Sequence, residues 1–233
     1  EIAQCLVGSE MCIRDRLWKK LKADDFDTDI IEVLRESNKK IREQLEGLSR
    51  DDFSEVFLFF DYDVHQTNLG KADDGDVINQ MLESFDNETE NGKLYISYPM
   101  VEALRDFEAD KCGNGDNCFV EISDLAEYKN ISSRNSLNPH FRDYNIDVWK
   151  EIVNVFSMRI SCLLGNAEVI SYEQYLDEAN PHDIFMCEQA LAGNNKVFII
   201  SAFPEFLVDY FGMKLWRTCV KHAKNQLDIC NCK

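Results

Sequence analysis

Val56-Phe-Leu-Phe-Phe60 restricts the fold more than any other segment, because five consecutive apolar residues leave no face suited to water. Strand side chains alternate between faces, so such a run predicts a strand covered on both sides, as in a parallel sheet flanked by helices. Lys93-Leu-Tyr-Ile-Ser97 and Val197-Phe-Ile-Ile-Ser201 have the same character. Each is followed closely by a proline and a glutamate, Pro99 with Glu102 and Pro204 with Glu205. Proline suits a first helical turn, where its missing N–H has no intrahelical partner, so both segments predict strand-to-helix units. The fold class expected is α/β, a mostly parallel sheet flanked by helices with a helical C-terminal portion.

The helices follow from spacing. Ile30, Leu34, Ile41, Leu45 and Leu48 predict one helix over 29–48, capped by Asp27 or Thr28. A second is expected over Val77–Phe85, and a third from Pro99 through Glu102, Leu104 and Phe107. Trp149, Val153, Phe156, Ile160 and Leu164 predict a long one, capped by Asn145 or Asp147. Tyr172–Ala192 reads as helical with a break at Pro181, and Gly193 and Gly212 read as helix stops. Cys118–Ile122 suggests a short strand, and 124–140 reads as irregular.

Residues 1–16 belong to a different category. Leu6-Val-Gly-Ser-Glu-Met-Cys-Ile-Arg-Asp-Arg16 is what one frame of a common tagmentation adapter encodes, and Glu1–Cys5 fits the same oligonucleotide upstream. They are set aside as an adapter-derived artefact, with the gene's own N-terminal part expected to be missing. The organisation expected is an N-terminally truncated α/β core over 17–122 and a helix-rich continuation or small subdomain over 123–233.

The chain carries a net charge of −18, which argues against a broad electrostatic grip on nucleic acid. It leaves room for an enzyme that reaches phosphates through metal ions held by carboxylates. The longest apolar stretch, Val153–Leu164, is interrupted by Ser157, Arg159 and Ser161, far short of the roughly 20 residues of a membrane span. A soluble, cytoplasmic protein without a membrane partner is expected. Beyond residue 16 the cysteines are Cys112, Cys118, Cys162, Cys187, Cys219, Cys230 and Cys232, an odd and irregular set unlike a secreted disulfide framework. Cys112/Cys118 and Cys230/Cys232 match no common zinc spacing.

The sharpest chemical feature is the end of the first apolar run, Asp61-Tyr62-Asp63. In open α/β sheets ligands gather outside the carboxyl ends of strands. If the backbone stays extended, Asp61 and Asp63 point the same way, and a divalent cation relieves their mutual repulsion. Oxygen-only ligands suit Mg²⁺ or Mn²⁺. The same residues also read as turn chemistry opening a solvated loop. His65 and the acidic Asp73, Asp74 and Asp76 follow in that loop, where solvated side chains are the ordinary expectation.

This stretch resembles the second motif of Toprim domains, in which an apolar strand ends in a metal-binding Asp-x-Asp. It is similar in particular to Toprim-type proteins of bacterial anti-phage systems, including RloB-like and related nuclease families. In RloB-like proteins a Pro-containing segment with a Glu follows, and Tyr98-Pro-Met-Val-Glu102 is comparable in order and spacing. The resemblance covers about Val56–Phe107. It implies Mg²⁺- or Mn²⁺-dependent cleavage of nucleic-acid phosphodiesters, by a nuclease or nuclease subunit of prokaryotic defence that works with a partner ATPase or other defence protein. Asp61 and Asp63 would be the metal ligands, and Glu102 a further catalytic candidate that completes the metal shell or orients a ligand. As an acid at a helix N-terminus, Glu102 also has a purely structural reading. Toprim domains carry a Glu on an earlier strand, and Leu17–Asp27 contains no such strand, so the chain is expected to be inactive as it stands.

Haloacid-dehalogenase phosphatases and glycosyltransferases use related strings. His65 stands where the former need Thr or Val, and no accompanying signature of the latter is present. A noncatalytic acidic module that binds a partner protein is the reading from another class.

Overall fold

The computed structural model describes residues 13–36, 39–62, 73–107, 118–136 and 140–220. Within them the chain is mixed α/β, rich in helix and with small sheets. It divides into two compact units, one of residues 1–60 and 80–94, the other of 61–79 and 95–233. The division therefore passes through β1 (Phe57–Asp61) and β3 (Gly92–Ser97), and not near residue 122.

The first unit contains α1 (Ile13–Ala23), α2 (Ile30–Arg35) and α3 (Lys39–Gln44). The first turn of α1 lies in the adapter-like segment. A nucleated helix adds turns through backbone bonds alone, so little sequence information is needed there. Leu17, Trp18 and Leu21 of α1 are buried. Trp18, Phe26 and Phe85 meet edge to face, with centroids 5.9–6.2 Å apart. The single helix expected over 29–48 is instead two short ones. Arg35 donates to the carbonyls of Leu45 and Leu48, which one continuous helix would carry about 15 Å or more away. Asp29 caps α2 by accepting from the Ile31 N–H at 2.8 Å.

β1, β3 and β2 (Asp86–Asn87) form a three-stranded mixed sheet in the order β1-β3-β2. β2 and β3 are antiparallel, with Asp86 opposite Lys93. Gly92 is required there. Its φ is +108°, and a Cβ would lie 3.1 Å from the Val56 side chain and 3.3 Å from its carbonyl oxygen. α4 (Asp73–Ser84) precedes β2.

The second unit is organised by α6 (Ile146–Leu163), which packs against α9 (Ala202–Cys219). Ile152, Val155 and Phe156 of α6 join Leu104 and Phe107 in one apolar cluster. Asn145 caps α6 by accepting from the Asp147 and Val148 N–H groups. α7 (Tyr172–Glu178) and α8 (Pro181–Ala192) break before Pro181, with Asn180 capping α8. Gly212, at φ 64° and ψ −154°, interrupts α9 instead of ending it.

β4 (Phe119–Glu121) pairs antiparallel with β5 (Lys196–Phe198), setting Glu121 opposite Lys196. β5 is shorter than its apolar run. Beyond Phe198 the Ile199 N–H donates to the Cys118 carbonyl at 2.7 Å, and Ile200 forms an antiparallel bridge with Tyr98. Two further expectations are corrected. Residues Leu125–Asn135 form α5, whose buried residues, among those described, are Leu125, Tyr128 and Ser132, too sparse to mark a helix. After a cis Tyr98–Pro99 bond, the segment expected to be an α-helix is a 3₁₀ turn, Val101–Arg105. α5 packs on this turn. No helix among the described residues is long and apolar enough to cross a membrane.

Candidate functional site

Asp61 is the last residue of β1, half-buried, and Tyr62 after it is buried. Burial along β1 does not alternate, since Leu58 and Phe59 are both buried and Phe60 and Asp61 both half-buried, and just past the strand the Tyr62 N–H donates to the Ser97 carbonyl at 2.9 Å. The Asp61 carboxylate accepts from the Val101 N–H at 2.8 Å. Met100 provides no side-chain cap to the turn that Val101 begins, so Asp61 takes the role of cap from forty residues away. A carboxylate is well suited to it, because exposed N–H groups at a helical start carry partial positive charge. Asp63 and His65 lie outside the described residues. Asp73, Asp74 and Asp76 fall in the first turn of α4, of whose side chains there the structure gives nothing.

Glu102 sits one residue beyond Val101 and is 7% exposed. Its carboxylate pairs with the Lys129 ammonium of α5 at 3.0 Å. Ser132, one turn further along α5, donates to the Glu102 carbonyl at 3.2 Å. The 3₁₀ turn is therefore held from two directions, by Asp61 on its first amide and by α5 on Glu102. Glu102 can serve a cation only by exchanging or sharing its partner Lys129. Among the described residues no group of three or more His, Cys, Asp or Glu side chains is arranged to hold a metal.

Sequence reasoning missed a second acidic centre in the same unit. Glu188 of α8 is fully buried, and its Oε2 accepts from the Phe198 N–H at 3.0 Å. Burial pushes its carboxyl well above the usual range, against the opposing pull of the Phe198 hydrogen bond. Tyr62 and Tyr98 are raised as well, first by burial and then by the charge of Glu188. Glu205, which the sequence offered only as an acid at a helix start, is buried in the first turn of α9. Tyr95 donates to Asp209 of α9, and Tyr128 of α5 donates to the buried Asp106. The signal for Glu188 was spacing. Ile184, Phe185 and Glu188 fall on one helical face, and the other two residues are wholly apolar.

Arg159 is the cationic counterpart, fully buried within the apolar face of α6. It donates to the Ile199 carbonyl at 3.0 Å and lies 5.0 Å from the Phe156 ring centre. No disulfide joins Cys118, Cys162, Cys187 and Cys219, and burial raises Cys162 to about 11, which leaves it a poor thiolate at neutral pH. Cys112, Cys230 and Cys232 lie outside the described residues. No family model, curated protein or solved structure matches the chain.

Proposed function

We propose that the chain belongs to a Toprim-like, metal-dependent enzyme that cleaves nucleic-acid phosphodiesters, a nuclease or nuclease subunit of prokaryotic defence. One observation carries the reading. The hydrogen bond from Val101 N–H to Asp61 joins the end of the apolar strand to the turn that bears Glu102. Those are the two segments on which the Toprim resemblance rests. Asp61 and Asp63, the latter outside the described residues, would hold Mg²⁺ or Mn²⁺, since hard divalent cations favour carboxylate oxygens. The bound ion would polarise the scissile phosphate and stabilise charge on the leaving oxygen. Val101 N–H fixes Asp61 in orientation, and Glu102 stands ready to orient a ligand while Lys129 balances its charge.

A noncatalytic acidic interaction module is the second reading. It is favoured by the net charge of −18 and by the engagement of Glu102 with Lys129. Thermal unfolding with and without Mn²⁺ separates the two. At about 100 times its Kd, Mn²⁺ should stabilise the chain by roughly 2.7 kcal/mol, and the Asp61→Asn/Asp63→Asn variant should lose that shift. A cooperative transition unmoved by Mn²⁺ would sink the metal reading. Salt-sensitive capture of a basic protein, unaffected by the double substitution, would support the interaction module.

A further inference from the structure

Three polar groups lie buried in the core of the second unit without bonding to one another. Oε1 of Glu188, the Tyr62 hydroxyl and the Tyr98 hydroxyl are all buried and have no hydrogen-bond partner. The residues that bear them are at most 1% exposed. Their neighbourhood follows from packing. The Tyr62 and Tyr98 rings are 5.0 Å apart, and Tyr62 meets Phe185 edge to face at 6.1 Å. Phe185 lies one turn before Glu188 on the same face of α8. Tyr98 exchanges backbone hydrogen bonds with Ile200, two residues beyond Phe198, whose N–H holds the other oxygen of Glu188.

Buried polar groups in folded proteins almost always find a partner. Buried groups that share a neighbourhood without direct bonds are commonly bridged by a water that makes two to four hydrogen bonds. The donor set suits water better than a metal ion. Two neutral phenols and one carboxyl supply both donors and acceptors but little charge, and burial favours the protonated form of Glu188.

We propose that Tyr62, Tyr98 and Glu188 together bind one internal water molecule, which ties the end of β1 to α8. The site fixes Tyr62 from the core side, while Asp61 is fixed from the other side by Val101. It stands independently of whether Asp61 takes a metal.

A high-resolution crystal structure of the full chain tests this directly. One water within hydrogen-bonding distance of all three oxygens is expected. Direct bonds among the three, a dry gap, or a bound ion would overturn the proposal. A double-mutant cycle gives a second readout in solution. With a shared water, removing the second hydroxyl in Tyr62→Phe/Tyr98→Phe should shift the urea midpoint less than removing it from the parent chain. Strictly additive midpoint shifts would count against a common water.

Discussion

Asp61 and Glu188 make the same hydrogen bond in opposite surroundings. Each carboxylate accepts from one backbone N–H, Val101 for Asp61 and Phe198 for Glu188, at 2.8 and 3.0 Å. Asp61 closes a strand at a half-buried position, where water remains within reach. Glu188 is enclosed by α8, β5 and two tyrosines and has no exposed surface. The difference separates two uses of an acid. The first is partly open to solvent, as the proposed metal binding would require. The second is committed to the fold, and its buried oxygen must find a partner inside the protein.

Truncation should reveal this contrast most strongly. Glu188→Ala removes the acceptor of a buried amide and leaves space in the core, and should cost about 2–4 kcal/mol. Asp61→Asn keeps an oxygen that Val101 N–H can reach and should stay within about 1 kcal/mol of the parent. Urea unfolding measures both. Equal losses would remove the distinction between an exchangeable acid and a structural one.

A titration sharpens the comparison. Burial holds the folded pKa of Glu188 above its ordinary value of 4.5, so the folded protein retains a proton that the unfolded chain has released. The stability linked to this group is full below about pH 4.5 and falls as pH rises towards the folded pKa. Glu188→Gln removes the titration while preserving shape. Its stability relative to the parent should therefore rise from pH 5 to pH 8, by up to about 1.4 kcal/mol per pH unit. A difference independent of pH would mean that burial does not hold the proton on Glu188.

The two acids were unequally legible in the sequence. Asp61 announced itself because a wholly apolar run stops abruptly at an acid, and a strand covered on both faces must end where polar residues resume. Its capping bond to Val101 joins residues forty positions apart, and no local pattern encodes such a contact. Glu188 lies between Cys187 and Gln189 and passes for an ordinary surface acid unless the face it shares with Ile184 and Phe185 is drawn. α5 was hidden for a related reason, since one tyrosine, one leucine and one serine form its buried face while Ile131 points to solvent. Caps were only partly legible, since Asp29 caps α2 where Asp27 or Thr28 was expected. Asn145 and the break before Pro181 depend on neighbouring residues alone. The extent of the sheets was not legible, because an apolar run shows that a segment is covered but not which strand it pairs with. Val197–Ser201 accordingly forms only a three-residue strand and a bridge.

The smallest expected effect lies at Glu102 and addresses whether it belongs with Asp61 or with the fold. Its partner Lys129 is 65% exposed while the Glu102 side chain is nearly buried, so the pair stands at the solvent edge. Glu102→Gln should cost under about 1 kcal/mol, and less in high salt. Lys129→Met is more discriminating. If Glu102 serves a cation near Asp61, removing the competing ammonium frees its carboxylate and should tighten Mn²⁺ binding about fivefold, equivalent to roughly 1 kcal/mol. Calorimetric titration of the full chain with Mn²⁺ would measure this. Unchanged affinity in Lys129→Met, alongside a loss in Asp61→Asn/Asp63→Asn, would assign Glu102 to the junction between the 3₁₀ turn and α5 and leave the cation to the strand end.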